Sequence, residues 1–316
     1  MKKKFLLVFV LLAALVGTLP VWAAGRGDAA SDGKIKVIFI AMDSIDEHWL
    51  KVKAGTEDKA KELGNVAISF NAPPGKVDAN VQLQMVEDAI TQKVDAILLA
   101  PLNRDALVPG VEKAKAAGIK VVIIDSAIGT QNYDAFFSTD NGAAARLAAD
   151  ELAKLINQKG KIAIVNAQAG SATTMIREND FKDQMAKNYP GITIVGTQYS
   201  DGDKTKALNI ATDFMTANPD LAGFYAANEG STVGTGNAIE QAGKTGVIKF
   251  VGFDWSADTK ALVEKSVLQA TMVQNPYQMG YLGVQAAVDL VTGKSVQKDV
   301  DTGVTVATIA NMNSIK

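Results

Sequence analysis

Two acidic residues follow short apolar strands at points where a polar solute could bind. The run from Lys120 ends on Asp125, and the run from Lys249 ends on Phe253 and Asp254. In an α/β sheet the carboxyl ends of parallel strands form the ligand crevice. The two acids are therefore predicted to lie where a polar ligand is held.

Other residue patterns test for enzyme chemistry. His48 is the single histidine of the chain, which disfavours a Ser-His-Asp triad or a multi-histidine metal centre. Residues 243–245 resemble the end of a phosphate-binding loop, but Ala238 stands at the required glycine position. The turn at residues 201–203 lacks the further acidic ligands of a calcium loop. We predict a protein without enzyme activity, cofactor or metal; a glycosidase is the less favoured alternative, because sequence does not give carboxylate separations.

The first 23 residues have the pattern of a signal peptide. Residues 2–4 are lysines, residues 5–16 are apolar, and Ala23 ends a small-residue pattern after Pro20. Gly17 and Pro20 interrupt the apolar run before the ~20 residues that a spanning helix needs. We expect cleavage after Ala23. Because the chain has no cysteine, lipid attachment through a thiol is excluded, and the periplasm is the predicted location.

The charge balance restricts the kind of partner. The sequence has 32 basic and 34 acidic residues, and removal of the three leader lysines leaves 29 basic against 34 acidic. No block of like charge appears, whereas a nucleic-acid binder would show a basic face. The partners are predicted to be small molecules and proteins. A chain of 316 residues is also long enough for two well-cored domains.

Strand-like and helix-like segments alternate along the remaining chain. An apolar run at residues 36–41 precedes residues 49–63, whose apolar positions recur at helical spacing until Gly64. The alternation continues to residue 124, and a second round of similar length follows residues 138–140. This pattern predicts an α/β fold with two doubly wound parallel-sheet lobes and right-handed crossovers.

Six segments, taken in order, resemble a known family. They are residues 36–41, 138–141, 177–181, 228–229, 251–254 and Gln274. Together they are similar to the periplasmic sugar-binding proteins of ABC transporters, ribose-binding type, over essentially the whole mature chain. The resemblance implies a type I periplasmic binding protein fold with a three-segment hinge. It also implies an N-terminal lobe of residues 34–139 and 275–301, and a C-terminal lobe of residues 140–274 and 302–316.

The resemblance assigns ligand-binding roles residue by residue. The positions that match are Asp46, His48, Trp49, Asp125, Arg177, Asn228, Phe253, Asp254 and Gln274. Three positions depart from the ribose binders: Ala100 replaces an asparagine, Ser126 an arginine and Gly202 an aromatic ring. These departures disfavour ribose itself as the ligand.

The chemistry of this residue set suits a hydroxyl-rich ligand. Carboxylates accept from sugar hydroxyls, while guanidinium and amide groups donate to their oxygens. Apolar C–H faces of a sugar would lie on Trp49 and Phe253. Three carboxylates against one arginine disfavour anionic ligands, so a neutral monosaccharide or polyol is predicted.

The family function implied is capture of the solute by a monomer between closing lobes and its delivery to an ABC-transporter membrane permease. A chemotaxis sensor that docks on a chemoreceptor and a receptor for a furanosyl quorum signal are alternatives on the same fold. A repressor of the lactose type would need a DNA-binding helix pair where the signal peptide stands.

Overall fold

The computed structural model describes residues 33–74 and 78–315. The predicted signal peptide, residues 1–23, lies outside the described residues. Among the helices that are described, none is long and apolar enough to cross a membrane. The described chain is built on two six-stranded sheets.

The elements follow the predicted alternation. The first part of the chain contains β1 (Ile35–Ile40), α1 (Glu47–Leu63), β2 (Val66–Asn71), α2 (Ala79–Thr91), β3 (Ala96–Leu99), α3 (Val108–Ala116), β4 (Lys120–Ile124) and β5 (Ala135–Ser138). The second part contains α4 (Asn141–Leu155), β6 (Gly160–Asn166), α5 (Ala172–Asn188), β7 (Ile192–Tyr199), α6 (Lys204–Ala217), β8 (Leu221–Ala226), α7 (Glu229–Gln241), β9 (Lys249–Phe253), α8 (Ala257–Glu264) and β10 (Ala270–Gln274). The last part contains α9 (Pro276–Val291), β11 (Asp299–Asp301), β12 (Val304–Ala307) and a 3₁₀ turn at Met312–Ser314.

The two sheets have matching topologies. Their strand orders are β11-β5-β4-β3-β1-β2 and β12-β10-β9-β8-β6-β7, so β4 and β9 are both third from one edge. The chain passes between the sheets three times, after Ser138, after Gln274 and after Asp301. The pair β10–β12 is antiparallel. Only two residues separate β11 in the first sheet from β12 in the second, so the chain enters the second sheet directly rather than through a helix.

Each sheet buries both of its faces. Along β1, Val37 and Phe39 belong to one apolar cluster, whereas Ile38 and Ile40 belong to the cluster on the opposite face. Successive side chains of a strand point to opposite faces, so a strand covered by helices on both sides reads as a continuous apolar run. This explains why the central strands were readable from sequence.

Helix α1 is held firmly against α9, and this contact fixes the position of its first turn. Gly55 and Gly280 lie where the helices meet, and a Cβ atom at either position would overlap the backbone of the other helix. Asp46 caps the start of α1 by accepting from the His48 amide at 3.0 Å, and Gly64 ends the helix at a φ of 75°. The first turn of α1 therefore occupies a defined place beside the carboxyl ends of the strands.

Candidate functional site

The two strand-end acids occupy equivalent places in the two sheets. Asp125 follows β4 and Asp254 follows β9, and both have a positive φ, 63° and 73°. The amide of Asp125 donates to Phe137 O at 2.8 Å, and that of Asp254 donates to Met272 O at 2.9 Å. Non-glycine residues adopt such a φ rarely and at a cost of about 1–3 kcal/mol, and they cluster at functional sites. Both acids are thus held in place by the same backbone device.

A cavity of about 60 Å³ lies between these strand ends. Eight of the nine sequence-predicted ligand residues line it: Asp46, His48, Trp49, Asp125, Arg177, Asn228, Asp254 and Gln274. They come from both halves of the fold. The ninth, Phe253, is fully buried and does not line the cavity.

Arg177 is the central donor of the site. Its side chain is 2% exposed, and its Nε donates to Asn141 Oδ1 at 2.7 Å. Nη1 donates to Ala227 O at 2.8 Å, and the guanidinium lies 4.1 Å from the centre of the Phe253 ring. Nη2 has no hydrogen-bond partner within the described part of the chain. Phe253 therefore supports the arginine from behind, and Nη2 is the group left to donate to a ligand.

Asp254 and Gln274 form a second polar pair in the cavity. Gln274 Nε2 donates to Asp254 Oδ1 at 2.6 Å, which fixes the amide orientation. The other atom of that amide, Oε1, is buried without a hydrogen-bond partner in residues 33–74 and 78–315. Asn228 Oδ1 accepts from the Ser231 amide and caps α7, so its amide nitrogen remains to donate. The cavity thus contains both donors and acceptors.

His48 lies between the two strand-end acids. Its Nε2 is 2.9 Å from Asp125 Oδ2, and its Nδ1 is 3.7 Å from Asp254 Oδ1. Burial acts to lower the pKa of His48, but the charges of the two aspartates outweigh it and the pKa is raised. Burial likewise acts to raise the pKa of Asp125, yet His48 and Arg177 bring it below its usual value. The two directions agree on a protonated histidine beside a carboxylate.

A second cavity also lies beside His48. It has a volume of about 60 Å³, shares His48, Asp254 and Gln274 with the first and continues to Trp255 and Tyr277. Trp49 packs edge-on against His48 with 4.6 Å between ring centres, and it belongs to the core of the first sheet. His48, Asp254 and Gln274 therefore border both cavities.

Several lining residues were not found by sequence reasoning. They are Met42, Leu102, Ala167, Gln168, Ser171, Thr173, Thr174 and Asp201. Thr173 links the lobes, because its Oγ1 donates to Asp125 O at 3.3 Å and its amide donates to Ser126 Oγ at 3.4 Å. Small hydroxyl residues at the start of a helix are common caps, so nothing in their type distinguishes a site residue.

Comparison with known proteins gives the family. The model of the periplasmic binding protein domain matches residues 37–295. The chain belongs to this family. The prediction of the family from sequence is confirmed, and the two α/β lobes with largely parallel sheets confirm the predicted fold class.

Members of the family with known ligands cover most of the chain. The D-allose-binding periplasmic protein of Escherichia coli is 35% identical over 249 residues, which is 76% of this chain and 79% of that protein. A solute-binding protein of Agrobacterium vitis, solved with bound D-fucose, is 40% identical with a TM-score of 0.86, covering 88% of this chain and 97% of that one. A second, from Agrobacterium radiobacter in complex with D-arabinose, is 33% identical with a TM-score of 0.87, covering 89% and 97%.

Proposed function

We propose that this protein is the periplasmic solute-binding component of an ABC transporter, and that it captures a neutral monosaccharide or related polyol between its two lobes. The observation that carries the proposal is a buried donor and a buried acceptor, Arg177 Nη2 and Gln274 Oε1, each without a hydrogen-bond partner in the described residues and each on the same cavity. A hydroxyl group both donates and accepts, so it can satisfy both.

The electrostatics of the cavity favour an uncharged ligand. The lining includes the carboxylates Asp46, Asp125, Asp201 and Asp254, with Arg177 and His48 as the cationic groups. A phosphate or carboxylate ligand would meet repulsion from the acids. A neutral sugar instead offers hydroxyls to them as donors. Relatives are described as binding D-allose or as solved with D-fucose or D-arabinose, and this supports the same class of ligand.

The size of the cavity supports a mechanism with movement. A space of about 60 Å³ holds only a few water molecules, so a monosaccharide enters only if side chains or lobes move. We propose that the lobes, with the boundaries given by the sequence resemblance, open about the three crossings near residues 138–141, 274–276 and 301–303. A ligand that touches both lobes then stabilises the closed form through its differential contacts.

Delivery and location belong to the same proposal. The signal peptide of residues 1–23 would direct the chain to the periplasm, where the closed monomer presents both lobes to the membrane permease. Docking on a chemoreceptor would use the same closed form.

Ligand binding can be tested by thermal unfolding of the mature chain with a panel of compounds. The panel contains D-fucose, D-arabinose, D-allose, D-ribose and xylitol, with an amino-acid mixture and citrate as controls. A sugar at a hundred times its Kd stabilises the fold by about 2.7 kcal/mol, which raises the Tm by several degrees. Stabilisation by amino acids or citrate alone would overturn the sugar proposal, and release of free sugar from glycosides would indicate an enzyme.

A further inference from the structure

The first turn of α1 makes direct polar contacts with the second lobe, in addition to lining the cavity between the strand ends. They are Asp46 next to Glu229 on the wall of one cavity, Glu47 Oε2 accepting from the Ala257 amide at 3.3 Å, His48 Nδ1 facing Asp254 Oδ1 at 3.7 Å, and Lys51 Nζ donating to Trp255 O. We call this set the α1 latch. Its contacts hold the lobes together from one helical turn.

The contact between Asp46 and Glu229 has a chemical requirement. Ionised carboxylates are acceptors only, so two carboxyl groups share a hydrogen bond only if one of them carries a proton. Glu229 begins α7, is 2% exposed, and has its Oε1 3.4 Å from Lys204 Nζ. The same ammonium is 2.7 Å from Asp258 Oδ2, so its charge is divided between two acids. One shared cation does not remove the need for the proton.

The surroundings of the pair are predominantly acidic. A cavity of about 490 Å³ beside it is lined by the acids Asp43, Asp46, Glu47, Asp201, Asp203 and Glu229, and by one basic residue, Lys204. The charge of Asp254, which follows β9, also acts to raise the pKa of Glu229. Burial is the main cause that raises the pKa of Glu229 to about 8, followed by the hydrogen bond and charge of Asp46, with Lys204 acting in the opposite direction.

We propose that closure of the cleft takes up a proton onto the carboxyl pair of Asp46 and Glu229, so that acid favours the closed form and alkali favours the open form. This inference rests on the proposed function, because it assumes that the lobes open and close. Separation of the lobes removes Asp46 from Glu229 and admits water to both. Each acid then ionises freely.

The direction and the pH window follow from linkage. An exposed glutamate has a pKa of about 4.3, whereas that of Glu229 in the closed form is about 8. Protonation of Glu229 therefore favours the closed form fully at a pH below the pKa of the exposed glutamate. This preference for the closed form decreases as the pH rises towards the pKa of Glu229 in the closed form. Inside this window one proton changes the closed-to-open ratio by up to about tenfold per pH unit. Burial acts to lower the pKa of His48, whereas Asp125 on its own lobe and Asp254 across the cleft raise it, so the contact with Asp254 acts in the same direction.

The test measures closure directly, without sugar. Because the chain has no cysteine, two can be introduced as spin-label sites at the exposed positions Lys61 on α1 and Lys260 on α8. Distances between the labels are recorded at about pH 5.5 and about pH 7.5, which both lie inside the window. The variants compared are Glu229→Gln, whose amide donates to Asp46 without a proton, and Glu240→Gln. Glu240 lies on the same helix but is exposed and paired with Lys265, so it is the matched control.

We expect the short-distance population to fall with rising pH in the wild-type chain and in Glu240→Gln, by up to about 100-fold in closed-to-open ratio over the two units. In Glu229→Gln only the smaller response of His48 should remain. Asp46→Asn should behave like Glu229→Gln, which guards against a folding defect in one variant. An equal pH response in all four chains, or none in any, would overturn the proposal. Failure of the proposed function looks different: none of the five panel compounds would shift the distances at either pH.

Discussion

Replacement of Asp254 by asparagine should weaken ligand binding while the fold is kept. The residue is 8% exposed, its side chain accepts from Gln274 Nε2 at 2.6 Å, and its backbone has a φ of 73°. Asparagine has nearly the same shape and adopts positive φ more readily than most residues, so the fold should be kept. Alanine would add backbone strain of about 1–3 kcal/mol and so confuse the two effects.

The loss of charge should appear in the affinity. A hydrogen bond to a charged group contributes roughly 1.5–3 kcal/mol. Loss of one hydrogen bond from a sugar hydroxyl to the Asp254 carboxylate should therefore weaken binding by about 10- to 150-fold. Titration calorimetry with a sugar that stabilises the wild-type chain measures the change. Asp220→Asn is the control, since Asp220 is exposed and pairs with Lys161 outside the cavity. Unchanged affinity in Asp254→Asn, or a loss of unfolding free energy as large as the loss of binding, would refute the reasoning.

Three further changes test the candidate site and the packing beside it. Arg177→Met should lower the free energy of unfolding by about 2–5 kcal/mol, because the buried acceptors Asn141 Oδ1 and Ala227 O lose their donor. The same change should abolish ligand binding. Urea unfolding measures the first effect and calorimetry the second. Gly230→Ala should cost about 1–3 kcal/mol in urea unfolding, since a Cβ there would overlap the backbone of Gly202. The raised pKa of His48 predicts that its stabilising contact is present at acid pH and lost as the pH rises through that pKa, so His48→Gln should lose more unfolding free energy near pH 5.5 than near pH 8.5. An equal loss at both values would contradict the assigned protonation state.

The central strands could be predicted because burial on both faces leaves a local signal. The run at β4 was placed at its observed bounds, Lys120–Ile124, and the helix after β1 was correctly ended at Gly64. Strands β5, β10, β11 and β12 were not predicted. Strands β5, β11 and β12 have only four, three and four residues, so little local pattern indicates them. Strand β11 is also paired with a strand far away in sequence, as in the pairing of Val300 with Phe137.

The site was predictable in residue type but not in orientation. Eight of the nine residues line one cavity, and the aspartates were already indicated by their place at strand ends. The role of Phe253 depends on which face of its ring meets Arg177, and that is decided by packing across α5 and β9. Glu229 was noted only beside Asn228 in a motif. Its proposed role depends on Asp46, which lies on the other lobe and 183 positions earlier in the sequence.

The first turn of α1 connects the two proposals. Asp46, His48 and Trp49 line the cavity between the strand ends, and Asp46 and His48 also belong to the α1 latch. Since α1 is packed tightly against α9 through Gly55 and Gly280, this turn moves with the first lobe as a unit. A ligand that binds His48 or Asp46 therefore acts on the same groups whose protonation holds the lobes together. Occupancy of the cavity and proton uptake should consequently be coupled, and each should change the apparent affinity for the other by the same factor.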